Sequence, residues 1–287
     1  MSQKKNIKRY LLTFFLILWV AVWLVPIWNL LATATKDTKQ WINEAPWIFH
    51  PGVKALKQLF LNLRDGIVGK GTATPIGPVF INSLLYGTIS ASIAVFLASL
   101  AAYSLARLKL RLRYFLFFLI FSGTLFPVQI FLVPLFKLYQ NLNLYDKRIG
   151  MIFFYISICI PFCLLVLRNW FYSIPQEIVD AAKLDGCNSF QIYLKIFIPL
   201  SLAPFATLFL LQFTWVWNDL IFGLTLTHSV NIRPVMTTLS ELQNTHCPVP
   251  MPIVLSSTII ASLPILILIL VFQRQFFRGL RMSVAGE

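Results

Sequence analysis

Apolar residues dominate six stretches of this chain, each long enough to cross a bilayer, for which about 20 residues suffice. They lie at roughly residues 10–32, 79–103, 114–136, 149–168, 200–225 and 252–273. Polar positions gather between them: Lys4, Lys5, Lys8 and Arg9 ahead of the first run, a long stretch over 33–78, the cluster Arg107, Lys109, Arg111 and Arg113, and a segment over 169–199. The first run follows a basic cluster, as a signal peptide would. It is too long for one, and no small-residue cleavage site closes it, so it reads as an uncleaved helix. Prolines interrupt later runs at Pro127, Pro134, Pro161 and Pro264, where neighbouring protein or water must satisfy the freed carbonyls. In the second run Ala91, Ser92, Ala94, Ala98, Ser99, Ala101 and Ala102 recur at helical spacing and predict a smooth face against which another helix packs closely. Within the long polar stretch an amphipathic pattern around Val53 to Leu63 predicts a small external cap.

Composition makes the membrane reading firm. Of 287 residues 58% are hydrophobic and only 12% charged, against roughly 25% charged in an ordinary soluble domain. Mean hydropathy is +0.76. Too few polar residues remain to cover a water-facing globule, which excludes a soluble enzyme and a disordered chain. The fold class is therefore all-α polytopic membrane protein with six transmembrane helices. The chain divides into residues 1–77 (tail, first helix and long external loop), 78–274 (the transmembrane core) and a tail at 275–287.

Net charge is +14, and its distribution gives the orientation. With the N-terminus inside, the inner segments hold fourteen Lys and Arg and the outer segments ten, six of these in the long first loop. Long loops count for little in this rule; without that loop the contrast is fourteen to four. Both termini are thus expected on the cytoplasmic side of the membrane. The basic cluster at Arg107–Arg113 sits between two spans, where orientation and anionic lipid headgroups account for it and nucleic acid does not. Cys159, Cys163, Cys187 and Cys247 show neither disulfide-framework nor zinc spacing, and His50, His228 and His246 are far apart; no metal site is expected.

The segment 169–199 carries the most information. Pro175 suits the start of a short helix, with Ser173 as its cap. Glu177 and Asp180 fall in the first turns, where the helix dipole favours acids. Ala181 and Ala182 give a flat face, Asp185 follows, and Gly186 can end the helix in a left-handed conformation. Asn188 or Ser189 can cap a second helix, in which Phe190, Tyr193, Leu194 and Phe197 recur at i, i+3, i+4 and i+7 and predict an amphipathic stripe. Pro199 delays the fifth span. A short flat-faced helix at the inner surface of a membrane bundle is suited to being gripped by another protein.

Asp180-Ala181-Ala182, Gly186, Ile196 and Ile198-Pro199 resemble the EAA loop of permease subunits from binding-protein-dependent ABC importers, written Glu-Ala-Ala, three residues, Gly, nine residues, Ile, one residue, Leu-Pro. The departures are Asp180 for Glu, Cys187 for the usual Ala and Ile198 for Leu. Asn82-Ser83, Ala102-Tyr103-Ser104-Leu105-Ala106-Arg107, Trp217-Asn218-Asp219, Arg233-Pro234, Leu239 and Phe277-Arg278-Gly279-Leu280 extend the resemblance over nearly the whole chain, toward MalG-like permeases of the carbohydrate class. The ending Ser283-Val284-Ala285-Gly286-Glu287 departs from the family's usual Gly-Ala-Val-Lys-Gly.

The resemblance implies an ABC importer type I permease fold, a multi-pass place in a bacterial plasma (inner) membrane, and an ATP-driven importer of a sugar or small glucoside. A second, MalF-like permease would share the pore. Two copies of an ATPase subunit would bind ATP and Mg and each grip one coupling loop, here Glu177, Asp180, Ala181, Ala182, Asp185 and Gly186. An external sugar-binding protein would deliver the solute. The chain itself is expected to hold no cofactor and no ATPase site, since it has no phosphate-cradling Gly-rich loop with Lys and Ser/Thr. Asn82, Trp215, Trp217, Asn218 and Asp219 are candidates to line a translocation path: sugars stack on aromatic faces and hydrogen-bond to amides. A self-contained secondary transporter is the alternative. It would call for ionisable residues deep in several spans and an internal repeat, and neither is evident in the sequence.

Overall fold

The computed structural model describes residues 2–69, 75–242 and 249–284, with side chains between Tyr10 and Gln273. His246, Cys247, the final residues 285–287 and the side chains of the Lys4–Arg9 cluster and the Phe277–Leu280 tail lie outside the described residues. The chain forms two compact units, Met1–Gly77 with Leu239–Ser262, and Pro78–Thr238 with Leu263–Glu287.

In the first unit, helix α1 (Ser2–Ala34) carries Pro26 in its interior. Its apolar side chains stay on the surface until Ala32, Thr33 and Ala34, which are buried. Helix α2 (Thr38–Asn43) opens with a reciprocal capping box between Asp37 and Gln40, satisfying two backbone donors at once. Helix α3 (Val53–Val68) fulfils and lengthens the amphipathic stretch expected there, turning Ala55, Asn62 and Gly66 inward. Two polar side chains fasten these pieces. Lys36, only 2% exposed, donates Nζ to the Ala45 carbonyl at 2.7 Å and lies 3.5 Å from the Glu44 carboxylate. Asn62 donates to the carbonyls of Ala34 and Lys36 at 2.8 and 2.9 Å.

The second unit is built on α4 (Ile76–Arg107), α5 (Arg113–Phe121), α6 (Leu132–Asn141), α7 (Arg148–Ser173), α8 (Gln176–Leu184), α9 (Ser189–Ile192), α10 (Ile198–Leu200), α11 (Leu202–Trp217), α12 (Ile221–Leu226), α13 (Val235–Glu241) and the later part of α14 (Met251–Val284). Among the described residues four helices are long and apolar enough to cross a membrane: Tyr10–Ala34, Ile76–Arg107, Arg148–Ser173 and Met251–Gln273. Two further helix pairs pass the same test together but are bent at a short break, which makes six spans if each pair is one.

These bends correct two of the predicted spans. The third, placed at 114–136, is broken into Arg113–Thr124 and Val128–Asn141 at 89°. Pro127 sits at the break, where it has no N–H to donate and bars the preceding residue from the α region. The fifth, placed at 200–225, is an elbow of 72° between Ser189–Leu200 and Leu202–Trp217, and α11 ends at Trp217 rather than continuing to 225. Pro199 lies within α10 and the elbow falls at Ser201, whose buried hydroxyl accepts the indole N–H of Trp170 at 3.0 Å.

The small-residue face of α4 is present as expected for Ala91, Ala94, Ala98, Ser99 and Ala102, all buried, whereas Ser92 is exposed and Ala101 half-buried. One turn earlier, a Cβ on Gly87 would come within 2.8 Å of the Phe213 ring. Only hydrogen fits where α4 crosses α11.

Candidate functional site

Helix α8 is held by one face and offers the other. Val179 and Ala182 are buried in a cluster with Tyr103, Phe171, Ile174, Ile192, Tyr193 and Phe197. Glu177, Asp180 and Ala181 point outward, as do Asp185 and Gly186. This divides the Ala pair: Ala181 belongs to the outer face and Ala182 to the core, a correction to the single flat face expected of both. Ala182 is three residues beyond Val179, so the two stack on one side. Leu184, which is not among the predicted coupling residues, is 90% exposed. It follows Glu177, Asp180 and Ala181 at helical spacing and places a bare isobutyl group beside the acids. Its signal in the sequence was an apolar residue out of phase with the buried pair.

Ser173 does not cap α8. It belongs to α7 and its hydroxyl donates to the Trp170 carbonyl at 2.7 Å; Pro175 takes the N-cap position without a side-chain bond. Gly186 sits at φ +82°, the left-handed region that favours glycine, and its N–H reaches the Lys183 carbonyl at 3.0 Å. Asn188 caps α9 in a reciprocal box with Gln191. Asp180 accepts from Gln176 at 3.0 Å and from Lys183 at 3.3 Å; these bonds, Gln176 first, hold its carboxyl below the usual range.

Past α9 the chain makes one π turn, Tyr193–Phe197. The predicted stripe is divided between the two sides of the helix. Ile192, Tyr193 and Phe197 are buried, while Phe190 and Leu194 are 62% and 43% exposed.

Of the five path candidates, three meet. Trp215, Asn218 and Asp219 line a cavity of about 1000 Å³ with Gln129, Thr214 and Gln273. Asn218 and Asp219 occupy the break between α11 and α12, where Asn218 bonds back to the Thr214 carbonyl at 2.9 Å. The other two candidates lie elsewhere. Trp217 is 1% exposed, stacked on Phe213 at 5.5 Å and edge-on to Phe80 at 5.3 Å. Asn82 is 1% exposed and donates to the carbonyls of Asn231 and Arg233 at 2.8 and 3.2 Å.

The loop that Asn82 grips is also held by Asp146. Asp146 Oδ1 accepts the backbone N–H groups of His228 and Ser229 at 2.8 and 2.9 Å, and Oδ2 accepts the Ser229 hydroxyl at 2.5 Å. Partial burial alone would raise this carboxyl, but the Ser229 and His228 bonds outweigh it and hold it below the ordinary value.

A family model described as the binding-protein-dependent transport system inner membrane component matches residues 94–282. A probable ABC transporter permease protein of Pyrococcus horikoshii is 32% identical over 274 residues, 94% of each chain. The trehalose transport system permease protein SugB of Mycobacterium tuberculosis is 31% identical over 201 residues, 70% of this chain and 73% of that one. A chain in the crystal structure of a bacterial ABC transporter involved in import of the acidic polysaccharide alginate shares the fold, with a TM-score of 0.80 at 20% identity over 96% of this chain and 99% of that one. With its bent spans, its exposed short helix and a match running through both, the chain belongs to the family of inner membrane components of binding-protein-dependent transport systems, as a membrane-embedded permease subunit.

Proposed function

We propose that the chain is one of two permeases in an ATP-driven importer of a sugar or small glucoside, and that α8 is the element through which ATP hydrolysis in partner subunits reaches the pore. The observation that carries this reading is the outer face of α8. Glu177, Asp180, Ala181 and Leu184 recur at i, i+3, i+4 and i+7 on a helix whose opposite side is packed into the core. A short helix anchored behind and bare in front can transmit a push without unfolding. Its acids stand out among otherwise basic inner loops and suit a basic rim on the docking cleft.

In this reading both termini are cytoplasmic. The chain carries no ATPase site, and ATP with Mg belongs to two copies of an ATPase subunit, each gripping one coupling loop. A second, MalF-like permease completes the pore, an external sugar-binding protein delivers solute, and lipid surrounds the bundle. The segment that carries α2 and α3 forms an external cap. Closure of the ATPases draws the coupling helices together and tips the bundle between two packings of similar energy, biased by ATP. The cavity at Trp215 and Asn218 supplies an aromatic face and amides, the groups a polyhydroxylated solute needs. The sugar-related name of the relative SugB points the same way.

The test is co-expression with the cognate ATPase and second permease, followed by purification through a tag on this chain. The ATPase subunits should come along, and hydrolysis should rise with sugar-loaded binding protein. Hydrolysis by the purified chain alone, or no ATPase in the complex, would overturn the proposal.

A further inference from the structure

The motif Ala102–Arg107 and the pair Asn82-Ser83 lie at opposite ends of α4, and the structure gives both ends work to do. At the later end, Ser99, Tyr103 and Arg107 stand four residues apart on one face of the helix. The Ser99 hydroxyl and the Tyr193 hydroxyl are 2.6 Å apart in a buried bond. The Tyr103 hydroxyl donates to the Ser189 carbonyl at 2.8 Å. Arg107 donates to the carbonyls of Phe171 and Ile174 and, at 2.7 Å, to Gln176, whose amide in turn reaches Asp180. Both arms of the coupling segment, the one entering α8 and the one leaving it, are thus fastened to α4.

At the earlier end the same helix holds the 231–235 backbone. Asn82 donates to Asn231 and Arg233. Tyr86 donates to the Ile232 carbonyl at 2.8 Å, and Ser83 accepts from the Val235 N–H at 2.7 Å. Twenty-five residues separate Asn82 from Arg107, about 38 Å at 1.5 Å per residue, enough to cross the hydrocarbon core. The helix has neither proline nor glycine from Thr88 to Arg107, while the other three long apolar helices each carry an interior proline, Pro26, Pro161 and Pro264. Kinks concentrate at proline; between Asn82 and Arg107 α4 has none, and its one glycine there, Gly87, is packed against the Phe213 ring.

We infer that α4 is the rigid strut that carries displacement of the coupling segment to the loop at 231–235 on the opposite membrane face, with Ser99, Tyr103 and Arg107 as its positioning residues. This rests on the coupling reading of α8. Arg107 suits the task because a planar guanidinium can hold several acceptors at once, and the three form a row that a tilt of either arm must move together.

The test uses the whole importer with Asn231→Cys as reporter, in a background of Cys187→Ser and Cys247→Ser, labelled by a membrane-impermeant maleimide with and without ATP and vanadate. In the unsubstituted complex the labelling rate should change on trapping. Tyr103→Phe combined with Ser99→Ala removes only hydroxyl groups. It should leave ATPase recovery intact and shrink the nucleotide-dependent change on the order of fivefold, the low end of coupling between sites. Arg107→Gln should do the same, with Arg107→Lys intermediate. Recovered ATPase together with an unchanged nucleotide response in the hydroxyl double variant would overturn the strut and leave the coupling helix standing. Failure of the unsubstituted complex to retain ATPase would overturn the coupling reading and the strut with it.

Discussion

The Tyr155 hydroxyl donates to the Asp219 carboxylate at 2.8 Å, and the same carboxylate receives the backbone N–H groups of Phe222 and Gly223 at 3.3 and 3.1 Å. Asp219 thereby ties α7 to the first turn of α12 at the place where α11 has ended. Asp219→Ala should cost about 2 kcal/mol, the usual worth of bonds to a charged group, and Tyr155→Phe about 1 kcal/mol. Thermal inactivation of the detergent-purified protein should order them wild type, Tyr155→Phe, Asp219→Ala. Equal midpoints for all three would deny the tie any weight.

Leu184 touches little in its own chain, so Leu184→Ala should leave the melting temperature of the isolated permease unchanged. Its role lies in docking. Burying a leucine is worth about 2 kcal/mol, and recovery of the ATPase subunit in pull-down should fall by more than about tenfold. A destabilised permease with normal recovery would be the opposite pattern and would place Leu184 in the fold instead.

Gly186 has nothing within 4 Å of where a Cβ would stand, so substitution there is penalised by backbone strain and by what the partner meets, not by an internal clash. Gly186→Asn, which tolerates a left-handed φ, should retain most transport. Gly186→Glu should insert normally and abolish transport. Transport assays on membranes with matched permease levels decide between them; active Gly186→Glu would remove the turn from the coupling mechanism.

Asp180 and Lys183 form an exposed i, i+3 pair at 3.3 Å, which by itself contributes little. Their value to a partner differs. Asp180→Lys reverses a charge that faces outward, while Lys183→Ala merely frees Asp180. ATPase recovery should therefore drop further for Asp180→Lys. Equal recovery would leave shape, not charge, as the basis of docking.

Asp146 gives a pH dependence whose sign is fixed by the direction of its shift. A carboxyl whose folded pKa lies below its unfolded value, about 3.9, stabilises the fold fully above that unfolded value and loses the contribution as pH falls through the folded one. Limited proteolysis between Thr227 and Arg233 should stay slow down to about pH 4 and accelerate below it. Asp146→Ala should be cut quickly at every pH, with a flat profile across the acid range.

Apolar runs and short-range chemistry were legible in the sequence; facing and long-range pairing were not. The cap at Asn188, the left-handed turn at Gly186 and the buried alanines of α4 each depend on neighbours within one or two turns. The breaks at Pro127 and Ser201 hide inside continuous apolar stretches, because hydropathy measures insertion and not direction. Trp215 and Trp217 have the same residue type and nearly the same position, yet two residues on a helix differ by about 200°; one meets the cavity and the other the core. Asn82 finds its acceptors 149 residues away, a distance over which no spacing rule operates.

The π turn at Tyr193–Phe197 has a consequence for how this surface can diverge. Each residue of an α-helix turns the chain by about 100°, so a single residue added to or lost from that turn swings everything before it around the axis. A deletion would bring Gln191, now exposed, to the direction in which Ile192 is buried, although no side chain had been replaced. The address presented beside α8 is therefore written in chain length as much as in composition, and a one-residue deletion or insertion there would re-target the surface in a single step that a series of substitutions would have to reach gradually.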